Sequence, residues 1–493
     1  MSPYTRYPQT TTSVMEKKED LGSAVVHDED IFKDTEKPSA VQRDYSGAII
    51  SIDPIEKRLV KKLDLRIMPT LWLMYWLNYL DRNAIALAKL DHIEKDLNIT
   101  PTQYSTCVSI LFVGYILGGI PSNMLITRIR PSFYMGSAMA LWAIVSTLTS
   151  ISQNFTGLLL TRFFLGVTEA PFYPGALYLL SIFYTRKEVA TRIAILYTGN
   201  IFATAFAGLI AIVLFKMDGI AGLEGWRWLF IIQGILTFVV AVVGTHFLPD
   251  DPTVTRWLTP EERILAHERI KRDTVDDQGK ISTIKGLKEA LSDYRVWIFV
   301  FMQHMHLASN GFKNFFPSVV QGLGFDRTIT LVLTCPPYLI AGAISVYWSW
   351  SSGKFNERTW HISIAKAVAI LGFILGFAVN NTAARYVSMV IFAIGTYAVN
   401  SIILGWVGAT CGQTKEKRAI AISIIVSTSN ASFIWTPYLW TNSYGGRYTL
   451  ALATSAAFSA ATAIAAWAMR FNLMRENKKI RQDEDEATLY YAY

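Results

Sequence analysis

The chain has 493 residues, 52% hydrophobic and only 17% charged, with a positive mean hydropathy, whereas an ordinary soluble domain carries about 25% charged residues. That composition excludes a typical globular enzyme and matches a polytopic helical membrane protein. The net charge of +8 does not point to nucleic acid, because Lys and Arg are dispersed among short segments between apolar runs and form no stripe.

Taken in chain order, residues 1–60 are polar and contain no apolar h-region, so they read as a cytoplasmic tail without a cleavable signal peptide, its first 50 residues disordered. Apolar runs long enough to cross a bilayer, about 20 residues each, follow near 66–88, 103–127, 133–152, 157–184, 189–215 and 226–248. A polar linker occupies 249–294. Six more runs lie near 295–318, 326–352, 359–379, 384–410, 416–442 and 446–470, before a charged tail at 471–493 whose QDEDEAT segment also reads as disordered. The predicted fold is an all-α membrane protein with twelve transmembrane helices in two six-helix halves, 61–248 and 295–470. In the linker, LTPEERILAHERIKR offers Thr259 as an N-cap and Pro260 at the first helical position, predicting a surface helix that tethers the halves or regulates them.

Basic residues set the orientation. Arg128 and Arg130, Arg186, Lys187 and Arg192, Lys354 and Arg358, and Lys415, Lys417 and Arg418 fall in alternate loops on the same side as the linker and both tails, which places both termini in the cytoplasm. The sequons at Asn98, Asn154 and Asn380 fall in predicted outer loops. The cysteines, Cys107, Cys335 and Cys411, lie within or beside apolar runs with no CxxC spacing, so neither a disulfide framework nor a zinc site is expected. A faint internal repeat relates the segment from Arg162 to that from Arg385: an Arg, a small-residue helix, a basic loop, a second small-residue helix. Such repeats belong to secondary transporters, with the substrate site at mid-membrane between them.

Ionised side chains at membrane depth mark function by default. Span 1 carries NYLDRNAIA, with Asp81 and Arg82 adjacent and therefore about 100° apart on a helix, so each needs a partner elsewhere. Arg162 lies at a depth similar to Asp81. An Asp81–Arg162 pair would leave Arg82 free as a two-pronged receptor for a substrate carboxylate. Asp81 is then either a structural partner or a proton-coupling residue. Glu169 follows Arg162 by seven residues, on the same face and deeper. Burial disfavours its charged form, which suits a proton carrier, with a structural hydrogen-bonding role as the alternative. Asn78, Tyr79 and Arg82 share a face, and Pro171 and Pro174 loosen the helix just after Glu169. Asn310 and Asn430 are candidates to hydrogen-bond substrate. Lys313 either snorkels outward or adds positive charge to the site, and the spacing of His304 and His306 suits packing, not metal.

The blocks NYLDRNAIALAKLDHIEKDLNIT, VGYILGGIPSNMLITRIRPSFYMG, RFFLGVTEAPFYPGALYLLSIFYTRKEVATRIAI and GWRWLFIIQG with LPDDPTVTRWLTPEER resemble the anion:cation symporter family of the major facilitator superfamily, over about residues 60–475. More narrowly, they are similar to the fungal allantoate permease group, whose members carry nicotinate, pantothenate, biotin and other small carboxylates. The resemblance implies that Arg82 binds the substrate anion, that Asp81 and Glu169 are proton-linked with Arg162 as their partner, and that Tyr79, Tyr115, Asn200 and Asn430 border the site. Two departures stand out. NMLITRIRPS lacks the acidic and glycine positions of the superfamily's gating motif, and Lys313 replaces a small or polar residue. The expectation is a monomeric plasma-membrane carrier, partnered by protons and a small organic anion, that needs no cofactor or metal. Export of an acidic metabolite is the alternative, and a non-transporting nutrient sensor a more distant one. No GxxxxGK loop or nucleophile elbow suggests an enzyme.

Overall fold

The computed structural model describes residues 54–125, 129–273, 283–411, 415–441 and 447–483. The expected disorder of the first 50 residues, and of the QDEDEAT tail from Glu484 onward, lies outside the described residues. The described chain is helical. Before the linker come α1 (Pro54–Ala88), α2 (Pro101–Leu125), α3 (Pro131–Leu148), α4 (Phe155–Glu169), α5 (Phe172–Phe183), α6 (Arg186–Phe215) and α7 (Gly225–Phe247). The linker contributes α8 (Pro260–Asp273) and α9 (Thr283–Ser292). After it come α10 (Tyr294–Ser309), α11 (Phe316–Gln321), α12 (Arg327–Leu333), α13 (Cys335–Phe355), α14 (Thr359–Ala378), α15 (Thr382–Tyr397), α16 (Asn400–Thr410), α17 (Lys415–Asn430), α18 (Ser432–Trp435) and α19 (Thr449–Asp483).

Helix α1 starts at Pro54, inside the stretch assigned to the tail, and α19 runs past Arg470 to Asp483, because no proline or glycine interrupts FNLMRENKKIRQD. Among the described residues, eight helical stretches, some running across two consecutive helices, are long and apolar enough to cross a membrane. Two of the other predicted runs are interrupted, at Ala170–Pro171 and at Asn310, and α1 holds Asp81 and Arg82 within its apolar stretch. Pro171 has no amide hydrogen to continue the α4 ladder, so the helix ends at Glu169 and restarts at Phe172. The second copy of the repeat breaks correspondingly, between α15 and α16 at Ala398–Val399. Large apolar side chains such as Phe133, Leu141, Val239 and Phe247 remain exposed on α3 and α7, as a lipid-facing surface requires.

Ion pairs define one face of the bundle. Lys62 of α1 bonds Glu262 of α8 at 2.7 Å, and Arg269 of α8 bonds Glu188 of α6 at 2.7 Å. The cap of α8 is reciprocal: the Thr259 amide donates to Glu262 (2.9 Å) and the Glu262 amide to the Thr259 hydroxyl (3.2 Å). At the far end of α19, Glu476 accepts from Tyr294 and Arg295. The start of α1, the linker and the end of α19 therefore share this face. On the opposite face, the parts before and after the linker meet. Arg327 pairs with Asp91, Ser105 Oγ donates to the Pro437 carbonyl at 3.2 Å, and Phe315 stacks on Trp440 and edges against Tyr104.

Candidate functional site

The site grows from the packing of α2 on α4. A Cβ on Gly114 would fall 2.3 Å from the Phe163 carbonyl oxygen, and one on Gly166 would fall 2.0 Å from that of Leu111. Only glycine permits this backbone approach. It brings Tyr115 of α2 beside the end of α4, where Glu169 sits fully buried. Across from them, α1 turns Arg82 inward. Its Nε (3.0 Å) and one terminal nitrogen (2.6 Å) both donate to Glu169 Oε2, while its guanidinium lies between the rings of Tyr79 (5.2 Å) and Tyr115 (5.1 Å). The second carboxylate oxygen of Glu169 has no hydrogen-bond partner, and Asn78 lies beside the same carboxyl. Arg82 keeps 13% of its side-chain surface accessible and Glu169 none, so Arg82 is the more accessible member of the pair.

Two pairing expectations need correction. Arg82 is not free: its anion is Glu169. Asp81 does not bond Arg162 either; its Oδ2 accepts from Trp142 Nε1 (3.1 Å) and Thr237 Oγ1 (3.2 Å). Asp81 and Arg162 are near enough to interact through space, but side-chain direction decided the hydrogen-bond partners. Asp81 points toward α3 and α7, and the step of about 100° to the next residue turns Arg82 toward α4. Arg162 is fully buried with its guanidinium 5.4 Å from the Phe230 ring, and none of its nitrogens has a hydrogen-bond partner. It acts on Asp81 and Glu169 through space only.

Asn78, Tyr79, Arg82, Tyr115 and Glu169 thus form one cluster. Asn200 stands apart on α6, its side-chain oxygen accepting from Thr204, which also receives a bond from Asn83 of α1. Asn310 caps α10 with its side-chain oxygen unsatisfied, and Asn430 ends α17 while donating to the Val426 carbonyl at 2.9 Å. Both lie at helix breaks after the linker. His306 is buried without a partner, whereas His304 contacts the Thr428 carbonyl and Trp435. Among the described residues no His, Cys, Asp or Glu cluster could hold a metal ion, and the three cysteines are free and buried.

Several participants escaped the sequence reading. Trp142 and Thr237 hold Asp81, and no pattern announces them. Lys366 is fully buried with Nζ 2.9 Å from Ser309 Oγ. It had a signal: a charge alone inside an apolar run.

A helical bundle with large apolar side chains on its outside and a buried ion pair joining two of its helices is the build of a membrane carrier. The comparisons agree. The family model of the Major Facilitator Superfamily matches residues 71–437. The chain is 30% identical to the major facilitator-type transporter hxnP of Emericella nidulans over 448 residues, 89% of each chain. It is 30% identical to the MFS-type transporter cnsO of Penicillium expansum over 505 residues, 99% of this chain and 95% of that one. Among solved structures, a bacterial homolog of the human lysosomal transporter Spinster, inward-facing and occupied, shares the fold with a TM-score of 0.64 at 18% identity, over 83% of this chain and 96% of that one. The chain belongs to the Major Facilitator Superfamily. It is accordingly a multi-pass membrane transporter and not an enzyme.

Proposed function

We propose that the chain is a proton-coupled importer of small organic anions, as its resemblance to the allantoate permease group implies. One observation carries the reading: the Arg82–Glu169 pair. A protein carboxylate occupies the receptor that a substrate carboxylate needs, so proton and anion are linked by charge balance. With Glu169 ionised and no substrate, the pair is neutral. Protonating Glu169 frees Arg82, and a bound anion restores neutrality. A proton without an anion, or an anion without a proton, leaves an uncompensated charge where little water screens it, which is unfavourable. The carrier therefore reorients either empty or doubly loaded.

Asn78, Tyr79 and Tyr115 orient the anion on Arg82, with Asn310 and Asn430, at the helix breaks after the linker, bordering it; Asn200, which stands apart on α6, lies outside this set. Asp81 and Arg162 tune the field behind the pair. The proposal includes twelve spans, a monomer in the plasma membrane, and both termini with the linker face in the cytoplasm. Uptake of a panel of labelled monocarboxylates, ureides and vitamins by a strain lacking this gene, with and without it restored, tests the reading. Transport is expected to fall as external pH rises and to collapse with a protonophore. Transport indifferent to both removes proton coupling.

A further inference from the structure

The site has a second cation that the proton cycle does not use. Lys313 lies in the 3-10 turn Gly311–Asn314, where α10 breaks before α11. The turn is pinned by the Lys313 amide to the Asn310 carbonyl (3.3 Å) and by Gly311 packed against Thr436, where a Cβ would sit 3.1 Å from the threonine side chain. Lys313 Nζ rests 4.0 Å from the centre of the Phe433 ring, and Phe433 stacks at 4.7 Å on Phe112 of α2. The ammonium is therefore at the seam between the parts of the chain before and after the linker. It is half-buried and not sealed in.

Its surroundings lack negative charge. Among the described residues no carboxylate bonds Lys313. The charged group acting on it is Arg82, and its other charged influence falls on His306 together with Lys366. The sequence explains why. From Tyr294 to Trp440 the acids are Asp326, Glu357 and Glu416. Asp326 caps α12, Glu357 precedes α14 and pairs with Arg470, and Glu416 is in the first turn of α17, so all three belong to helix ends. Among the described residues, no acid of this part of the chain bonds Lys313, and Glu169, across the seam, is held by Arg82. Lys366 differs, because it is fully buried and donates to Ser309.

We infer that Lys313 receives a second anionic group of the substrate, so that the carrier selects organic dianions of the dicarboxylate class, one carboxylate on Arg82 and the other on Lys313. This rests on the anion reading above. With Glu169 protonated, Arg82 and Lys313 present two uncompensated cations facing one seam. A monoanion leaves one of them unmatched and a dianion neutralises both, each through charge-assisted hydrogen bonds. Because the two cations belong to opposite sides of the seam, the second carboxylate also draws those sides onto one ligand.

The test uses the purified full-length protein at mildly acidic pH. Binding of α,ω-dicarboxylates from malonate to adipate is compared with that of the monoamide of each, which keeps length and one carboxylate but removes the second charge. At one or more lengths the diacid is expected to bind about tenfold tighter than its monoamide or more, the ratio expected of one charge-assisted contact. Lys313→Met should bring that ratio close to one while monoamide binding survives, and Lys313→Arg should keep it. Equal binding of diacid and monoamide by the wild type overturns the inference, whatever the variants do, and so does a preference that persists in Lys313→Met. If the wild type binds monoamides without preferring diacids, only the dianion assignment fails. If it binds neither, while the uptake panel shows carried substrates that are neutral or cationic, the anion reading fails with it.

Discussion

Glu169→Gln separates a proton carrier from a structural anchor. In the wild type, Arg82 gives two hydrogen bonds to one oxygen of Glu169, at 2.6 and 3.0 Å, and under the proposed function a substrate carboxylate must displace that charge. Hydrogen bonds to charged groups contribute about 1.5–3 kcal/mol net and neutral ones about 0.5–1.5 kcal/mol. Glutamine keeps the size and one acceptor but holds Arg82 with about 1–2 kcal/mol less, so the variant should bind a carried carboxylate about 5–30 times more tightly near neutral pH. Its affinity should no longer change with pH, because the group that competed for Arg82 no longer titrates. Net accumulation should be lost, while exchange of labelled for unlabelled substrate continues, since exchange never requires an empty, deprotonated carrier to return. Binding by thermal shift and counterflow in proteoliposomes read both effects. A variant that accumulates substrate against its gradient as the wild type does refutes the assignment and moves the coupling role to Asp81. Loss of folded protein from the membrane supports the anchor reading instead.

Three further substitutions test the surroundings. Arg82→Lys keeps the charge but loses the fork that reaches Glu169 through two nitrogens, and should weaken carboxylate binding by about tenfold or more with normal membrane insertion; wild-type affinity returns Arg82 to a structural role. Trp142→Phe removes one of the two donors to the buried Asp81 and should destabilise the purified protein by about 1–3 kcal/mol in a denaturation assay, whereas an unchanged midpoint disproves that bond's importance. Asp293, at the linker-face end of α10, tests charge outside the membrane. Burial works against its ionisation, but hydrogen bonds from Arg295 and Lys417 prevail and hold its carboxyl down at about 2. A depressed carboxyl contributes stability fully above the usual carboxylate range and loses it as pH falls toward that value. Asp293→Asn should therefore lower the melting temperature at neutral pH and narrow the gap to wild type under strong acid; a gap constant across that window contradicts the pairing.

The helical runs were legible because hydropathy records burial in lipid directly, and the α8 start was legible because Thr259, Pro260 and Glu262 carry a local capping pattern. Asn78, Tyr79 and Arg82 were legible as one face because spacing along a single helix fixes it. Partners between helices were not. Whether Arg82 meets Glu169, and Asp81 meets Trp142, depends on how far α1 is rotated and how closely α2 approaches α4, and the close approach rests on Gly114 and Gly166, which resemble any other small residues in an apolar run. The role of Lys366 could have been suspected from its solitary charge. Its bond to Ser309 joins residues 57 apart in the chain, a pairing no local pattern encodes.

The central claim is that proton and anion cross together because they compete for one ion pair. The most direct measurement uses proteoliposomes with a pH dye sealed in the lumen, to which a carboxylate identified by the uptake panel is added with no imposed pH gradient. The account predicts that substrate entry acidifies the lumen in step with uptake, and that neither net signal appears with Glu169→Gln. Substrate entry that leaves lumen pH unchanged contradicts it.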